Sequence, residues 1–545
     1  MMELPDWTAF TSSETDHRGL DPLGLAAIGS SIVQKWLLPG ITNTTRHIRY
    51  YSFFCWVFWE FWRNGKREAR LSEQRKWRAR LENVLRAATL WKAPHILGLV
   101  GRRKAVQIEH LSPRGRIRID SPDVVSAFIP AFYSSSFRAL GCGKWTTERG
   151  AQLTAFGGEL AKAFDLGLRR STASQSALSS ILTSERTASV GAVRTIADAI
   201  RIRQVEPTEP EHSLLLELLL RLGTGENQQS WQARSRSFAL LMEIVEQAPG
   251  KVHSSADVHR VFATGRLPTK KIFSIPRALG LDFEIWKRYQ ERQYVKLSIY
   301  SLWHEVVQLL DYHASKTASV QQLLSHFRGA FAKSSVALKW LGPDYVRLNV
   351  GKVQELLDRR LHEESIEFGT AAIGLSELLM DIERASPERI GAAIVLLMLV
   401  SCYWTESQKL IEESHLHRMG GRNRLSLKIV AADVRQMETV ALPDYLQWVV
   451  ENYVLKQSAK IAIEKLPDYR YFIVRDDNGY RLVKKQEPMS YLSYDPSRIG
   501  SAFALMSELR LVHLSRGYRL TQTGRKILQR LRVRHDGRRA TAQSS

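Results

Sequence analysis

The sequence predicts a mainly α-helical, multi-domain protein with a small α+β module at its C-terminus. Apolar residues recur at helical spacing through most of the 545-residue chain. Residues 471–483 have the pattern of a β-hairpin, because an Asn-Gly pair separates two short β-prone runs. Residues 495–534 read as helix, strand, turn, strand and helix, which is the element order of a winged helix.

The length of the chain exceeds what one hydrophobic core supports, so several packed units are expected. We place them at residues 1–165, 166–280, 281–440 and 441–545. The composition, with 44% hydrophobic and 24% charged residues, is typical of a globular protein. Cys55, Cys142 and Cys402 have no CxxC spacing, which favours a reducing compartment over a disulfide framework. The N-terminus lacks a signal-peptide pattern, so a cytoplasmic location is expected.

The chain carries 78 Lys and Arg against 55 Asp and Glu, a net charge of +23. A surplus of this size favours a polyanionic partner, because a cationic surface releases counterions when it binds phosphates. We therefore expect double-stranded DNA as a partner. The alternative is that the charge only keeps the surface soluble.

The first strong helix signal starts at Thr44 or Thr45 as an N-cap and ends before Asn64-Gly65. The following stretch, residues 66–90, has apolar residues at amphipathic spacing and an outer side crowded with Arg and Lys. We predict that a basic face runs from Arg63 to Arg118. Its candidate nucleic-acid contacts are Arg102, Arg103 and Lys104.

Two further segments predict long helices. Residues 282–313 are compatible with one continuous helix, and Ser386-Pro387 is a good start signal for a helix that reaches Trp404. The apolar runs at residues 50–62 and 390–404 are shorter than the roughly 20 residues that a membrane span needs. Both are predicted to be helices buried inside the protein, and no membrane partner is expected.

From Leu509 the chain reads LRLVHLSRGYRLTQTGRKIL, where Ser515-Arg516-Gly517 predicts a tight bend and Thr521 the cap of a last helix. This segment resembles the winged-helix transcription-factor pattern. The matching residues are Leu509, Leu511, Val512, Gly517, Tyr518, Leu520, Thr521, Gly524 and Leu528.

The resemblance implies that the helix before the hairpin enters the major groove and that the hairpin tip contacts the DNA backbone or minor groove. The candidates on the helix are then Arg498, Ser501, Ser507 and Arg510, with Arg516 at the tip. Arg525, Lys526 and Arg530 on the last helix would reach phosphates. Because winged helices also serve as docking modules between proteins, that alternative stays open.

A second resemblance begins at Asp21, with DPLGLAAIGSSIVQKWLLPGITNTTRHIRYYSFFCW. It is similar to the N-terminal block of an uncharacterised prokaryotic family whose genes neighbour helicases and phospholipase-D-like nucleases in phage-defence islands. The similarity implies a role in antiphage defence and a helicase or nuclease subunit as partner. The matching residues are Leu23, Gly24, Leu37, Leu38, Pro39, Gly40, Arg46, Arg49, Tyr50, Tyr51 and Trp56.

Arg46 and Arg49 stand three residues apart, so both side chains can lie on one side of a helix. They could bind one anion together. The alternative, which we favour, is that they form ion pairs with carboxylates such as Asp16 or Asp21 and anchor the N-terminal segment.

Motifs for catalysis are not found. The sequence has no GxxxxGK[ST], GxSxG or HExxH, so no catalytic residue, metal ligand or cofactor is predicted. Three functions remain. The first is a DNA-binding accessory subunit of a defence system. The second is a docking scaffold for a helicase or nuclease. The third is a diverged metal-dependent nuclease around Asp120 or His415. Asp120 has Asp123 close by but lacks a following Glu-x-Lys, and His415 has no acidic partner at a persuasive spacing.

Overall fold

The computed structural model describes residues 21–63, 71–102, 115–120, 125–129, 132–146, 150–220, 228–364, 366–406, 425, 427–464, 472–477, 479–483, 492–495 and 497–542. The chain forms two compact units, and each unit is discontinuous in sequence. Unit 1 comprises Met1–Leu37 and Ser254–Ser497, and unit 2 comprises Leu38–His253 and Arg498–Ser545. The unit boundaries therefore differ from the four contiguous segments expected from sequence. Long-range pairing, which no local pattern reveals, joins the separated segments.

Unit 1 contains eleven of the helices that lie in the described residues. Their bounds are α1 Leu25–Ile32, α10 Ser255–Thr264, α11 Gly280–Tyr312, α12 Val320–Phe331, α13 Ser335–Leu341, α14 Val350–His362, α15 Phe368–Met380, α16 Ser386–Glu406, α17 Leu427–Gln436, α18 Leu442–Val449 and α19 Gln457–Glu464. A π-helical segment, Val33–Leu37, continues α1, and another, Val450–Lys456, joins α18 to α19. Short 3-10 turns lie at Arg277–Leu279 and Tyr345–Arg347.

Helix α11 is the central element of unit 1. The sequence predicts one continuous helix over residues 282–313, and the structure confirms it with a helix of 33 residues. α11 packs along α16, which in turn contacts α12 to α15 and α17. The indole rings of Trp286 and Trp303 are completely buried. Because α11 is surrounded on all sides, its polar side chains need internal partners, and Lys296 pairs with Asp495 at 2.5 Å.

Helix α16 is the one described helix long and apolar enough to cross a membrane, and 78% of its apolar window is buried inside the protein. Its neighbours in unit 1 cover it, as predicted for a core helix.

Unit 1 also contains a three-stranded antiparallel sheet in the order β5-β7-β6. The strands are β5 Thr317–Ala318, β6 Ile473–Asp476 and β7 Gly479–Leu482. The pairing of β6 with β7 confirms the predicted hairpin. β5 pairs with β7, so the hairpin belongs to the same unit as α11 and not to a separate C-terminal domain.

Unit 2 combines helices from both ends of the chain. They are α2 Arg49–Arg63, α3 Leu71–Lys92, α4 Ser134–Ala139, α5 Ala155–Leu168, α6 Thr172–Thr183, α7 Val190–Ile200, α8 Pro210–Leu220, α9 Gln228–Gln247, α20 Ile499–Glu508 and α21 Gln522–Ala542. Three two-stranded antiparallel sheets accompany them. β1 Arg116–Arg118 pairs with β4 Thr187–Ser189, β2 Gly143–Thr146 with β3 Gly150–Leu153, and β8 Val512–Leu514 with β9 Tyr518–Leu520.

The core of unit 2 is built around α2, which is apolar on nearly all sides and packs against α5. Aromatic rings fill this core, including Phe54, Phe58 and Phe128 with centroid separations near 4.8 and 4.9 Å. The mainly α-helical class with a small C-terminal α+β module, predicted from sequence, is confirmed.

Candidate nucleic-acid interface

The C-terminal module consists of α20, the β8–β9 hairpin and α21, in the order predicted for a winged helix. Thr521 accepts a hydrogen bond from the backbone N–H of Gly524 at 2.9 Å, so it caps α21 as predicted. Phe503 of α20 stacks on Tyr518 of β9 with ring centroids 4.3 Å apart. The module thus has a small apolar centre of its own.

Helix α20, the expected groove-reading helix, lies inside unit 2. The guanidinium of Arg498 donates to the carbonyl of Ile41 at 2.5 Å, and Ser501 Oγ donates to the carbonyl of Asn43 at 3.2 Å. Ser501 is 7% exposed. A major-groove contact needs these side chains at a free surface. In this structure they hold the segment that precedes α2.

The C-terminal end of α20 is fixed by a partly buried ion pair between His47 and Glu508. Nδ1 of His47 lies 2.5 Å from Oε1 of Glu508, and the other carboxylate oxygen accepts the backbone N–H of Ile48 at 2.7 Å. Nε2 of His47 lies 2.7 Å from the carbonyl of Leu97. Burial by itself lowers the pKa of His47, but the hydrogen bond and charge of Glu508 outweigh it, so the pKa lies above its ordinary value.

Arg510 follows α20 in a left-handed backbone conformation, with φ of 54°. Its guanidinium pairs with the carboxylate of Glu206, and the side chain stays 43% exposed. Phosphate contact by Arg510 would therefore have to compete with an ion pair within unit 2.

The β8–β9 hairpin is docked along one edge. The backbone N–H of Tyr518 donates to the carbonyl of Val252 at 2.7 Å, and the N–H of Gly250 donates to the carbonyl of Tyr518 at 2.8 Å. Gly517 has φ of 149° and lies directly against Gly250, where a Cβ would come within 2.5 Å of the Gly250 carbonyl oxygen. The tip residue Arg516 is exposed. The hairpin is thus held next to its turn, and the Arg516 side chain in that turn remains exposed.

Helix α21 is amphipathic. Ile527, Leu528 and Leu531 are buried on its inner side. The exposed side chains on the outer side are Gln522, Arg525, Lys526, Gln529, Arg530, Arg532 and Val533. No acidic residue occurs between Gln522 and His535. We define the cationic face as three side chains. Lys526 and Arg530 point outward from α21, one helical turn apart, and Arg516 lies at the hairpin tip.

Two arginines of α21 pair with carboxylates of α9. Arg532 donates two hydrogen bonds of 2.6 Å to Glu243, and Arg525 lies 3.4 Å from Glu246. For Lys526 and Arg530, no ion pair is formed with any residue that the structure describes. Their charges therefore remain available to an external anion.

The basic face predicted between Arg63 and Arg118 is only partly a surface. Arg78 and Arg86 are buried and both pair with Glu82, while Arg63 lies 3.7 Å from Glu60. Arg102 donates to the carbonyl of Pro94 at 2.8 Å. The exposed cations of this region include Arg75, Lys76, Arg116 and Arg118. Arg103 and Lys104 lie outside the described residues.

Arg46 and Arg49 do not share one anion. Arg46 is exposed, whereas Arg49 is 1% exposed and pairs with Glu211 at 3.1 Å. Arg49 also donates to the carbonyls of Ala199 and Arg201 at 2.6 Å. The carboxylate partner is therefore Glu211 rather than Asp21, which accepts a hydrogen bond from Tyr300; Asp16 lies outside the described residues.

Other residues of the N-terminal motif also have structural roles. Gly24 and Gly40 adopt φ of 70° and 78°, the region that favours glycine. The carbonyl of Pro39 accepts a hydrogen bond from buried Arg234 at 2.8 Å, and Trp56 donates to Asp165 at 3.0 Å. Of the eleven matching residues, all of which are described, ten are buried and only Arg46 is exposed.

The residues considered for a nuclease are not gathered into a site. Asp120 accepts a hydrogen bond from Arg118 at 2.8 Å, and His415 lies outside the described residues. Within the described part of the chain, no group of three His, Cys, Asp or Glu side chains could hold a metal ion.

The carboxylates that neutralise the predicted cations were not foreseen from sequence. Glu206 and Glu211 come from the start of α8 and the loop before it, and Glu243 and Glu246 come from α9. They are distant in sequence from the arginines they pair with, so no local spacing marks them. Comparison with protein-family models, with curated proteins and with solved structures gave no match.

Proposed function

We propose that the protein binds nucleic acid through phosphate contacts made by the cationic face of unit 2, without reading bases through α20. The observation that carries this proposal is the outer side of α21. Lys526 and Arg530 point outward from a helix whose described side chains include no carboxylate, while the neighbouring arginines are already paired. Such a surface attracts a phosphate backbone by counterion release and carries no sequence information.

Double-stranded DNA is the ligand we propose. A rigid helix with cations one turn apart and a hairpin tip on the same module suits the regular spacing of a duplex backbone. The inward orientation of Arg498 and Ser501 argues for binding that depends on charge and little on sequence.

The biological setting is a separate proposal that rests on the N-terminal motif. Its similarity to a family from phage-defence islands supports a cytoplasmic accessory subunit that delivers a helicase or nuclease partner to DNA. The docking-scaffold alternative has its own support, because burial of α20 within unit 2 is the behaviour of a winged helix used for assembly.

The test is duplex binding by the full-length protein, measured by fluorescence anisotropy between about 50 and 200 mM salt. Each phosphate contact contributes roughly 0.9 to the slope of log K against log salt. Replacing both Lys526 and Arg530 by Gln should lower the slope by about 1.8 and weaken binding.

The matched control is Lys144→Gln with Lys162→Gln, which removes the same charge from exposed lysines elsewhere in unit 2. It should leave the slope nearly unchanged. No duplex binding at about 50 mM salt would exclude the proposal and favour the docking scaffold.

A further inference from the structure

A short hairpin in unit 1, residues 265–277 with the sequence GRLPTKKIFSIPR, connects α10 to α11. We call it the spur. It contains four basic residues and no acidic residue, and the basic residues are Arg266, Lys270, Lys271 and Arg277. This run is visible in the sequence, but the pattern does not reveal which of its side chains face outward.

The base of the spur is fixed. The backbone N–H of Leu267 donates to the carbonyl of Lys271, and that of Phe273 donates to the carbonyl of Gly265, both at 2.8 Å. Leu267 and Phe273 are 5% and 2% exposed, so they anchor the spur in unit 1. Arg266 pairs with Glu367 at 3.0 Å. The spur is therefore attached to unit 1 through backbone hydrogen bonds, two buried side chains and an ion pair.

The tip combines cations with an exposed apolar side chain. Lys270 and Lys271 are exposed, and neither forms an ion pair with a residue that the structure describes. Ile272 is 74% exposed and Ile275 is 37% exposed. Lys270 has φ of 65°, a conformation in which a lysine is uncommon. One exposed isoleucine is ordinary, but here it stands on an anchored hairpin beside two unneutralised lysines.

We infer that the spur is a second nucleic-acid contact, in which Lys270 and Lys271 hold phosphates and Ile272 packs into the minor groove of a duplex. This inference rests on the proposed function and adds a site in unit 1 to the one in unit 2. Minor-groove proteins commonly combine cationic contacts to the backbone with an apolar side chain, such as isoleucine, placed against base steps. The absence of acidic residues in the spur sequence complements a polyanion.

The cationic part is tested with Lys270→Asn combined with Lys271→Gln in the full-length protein. Asn tolerates the left-handed conformation at position 270, so the fold of the hairpin is preserved. Duplex binding near 100 mM salt should weaken by about ten-fold or more, and the salt slope should fall by about 1.8. Replacing both lysines by Arg is the matched control and should retain affinity and slope.

The apolar part is tested with Ile272→Ala, which removes an exposed side chain and leaves all charges in place. We expect affinity to fall about five-fold with the salt slope unchanged, because burial of the isoleucine is lost and no phosphate contact changes. Full affinity in Ile272→Ala would overturn the minor-groove contact. Binding to vesicles of anionic lipid, lost in Ile272→Ala, without any duplex binding would overturn the inference in favour of a membrane surface.

Combining the variants separates this inference from the proposed function. If only the Lys526 and Arg530 changes weaken binding, the spur is not a contact and the inference fails while the proposed function stands. If only the spur changes weaken binding, the inference holds and the cationic face is not the site. Weaker duplex binding in both sets of variants supports both sites. If the unaltered protein does not bind a duplex, both sites are refuted.

Discussion

His47 and Glu508 are 461 residues apart in sequence, and their side chains meet at 2.5 Å inside unit 2. Glu508 ends α20, and its second oxygen accepts the N–H of Ile48, next to His47. This one carboxylate thus ties the C-terminal module to the segment that leads into α2. The contact places the module within unit 2, and it makes that attachment sensitive to pH.

The pH dependence of this attachment follows from the raised pKa of His47. A folded-state pKa above the unfolded value of about 6.5 means that the native state holds the proton more tightly. The stabilisation is complete below about pH 6.5 and is lost as the pH rises through the folded-state pKa. We expect the urea midpoint of unit 2 to fall as the pH rises through the folded-state pKa of His47. Hydrogen exchange of the backbone amides in α20 follows the unfolding. His47→Gln should flatten this dependence, and an unchanged profile in the variant would contradict the assignment.

His259 in unit 1 should have the opposite effect. Its imidazole lies 2.8 Å from Ser497 Oγ and 2.9 Å from Gln290 Oε1, and burial lowers its pKa to about 4. The unfolded chain then binds more protons, so stability is present above about pH 6.5 and is lost as the pH falls towards 4. The loss should be on the order of 3 kcal/mol.

Urea unfolding of the wild-type protein and of His259→Gln, compared at pH 7 and pH 4.5, measures this difference. The wild type should lose more stability than the variant on acidification, because glutamine does not titrate. Equal losses in the two proteins would show that other groups cause the acid sensitivity.

Arg49 and Arg46 allow a buried, paired arginine to be compared with an exposed one three residues away in the same segment. Arg49→Met leaves the carboxylate of Glu211 buried without its cation, and such a loss costs about 3–5 kcal/mol. Arg46→Ala removes an exposed side chain and should change stability by less than about 0.5 kcal/mol. Chemical denaturation of the two variants gives both values. Similar small effects at both positions would contradict the buried ion pair.

Gly517 should be sensitive to the smallest substitution. Gly517→Ala introduces a Cβ within 2.5 Å of the Gly250 carbonyl oxygen, at a backbone φ of 149° that disfavours alanine. We expect a destabilisation of about 1–3 kcal/mol, with faster hydrogen exchange at the N–H of Tyr518. Gly500→Ala in α20 is the control, because a Cβ added there would have no atom of the described residues within 4 Å beyond its own helix backbone and chain neighbours. Equal effects at both positions would show that the hairpin is not docked on Gly250.

Local patterns in the sequence were enough to define individual elements. Helical periodicity, the Asn-Gly pair and the cap at Thr521 are local signals, and they predicted α11, the β6–β7 hairpin and the C-terminal module. These features depend on neighbouring residues in the chain, so they can be deduced without knowledge of the fold. The chain's excess of 78 basic over 55 acidic residues likewise follows from composition alone.

Which of the cations face outward became clear only from the packing of the folded chain. The sequence marks Arg498 as a candidate DNA contact, yet its guanidinium binds the carbonyl of Ile41. For Arg49 the sequence favours an ion pair, but it does not reveal that the partner is Glu211. Lys270 belongs to a basic run that is visible in the sequence, but only the structure shows it exposed at the tip of an anchored hairpin. Local spacing could not distinguish these cases, because burial and ion pairing depend on contacts between residues far apart in the chain.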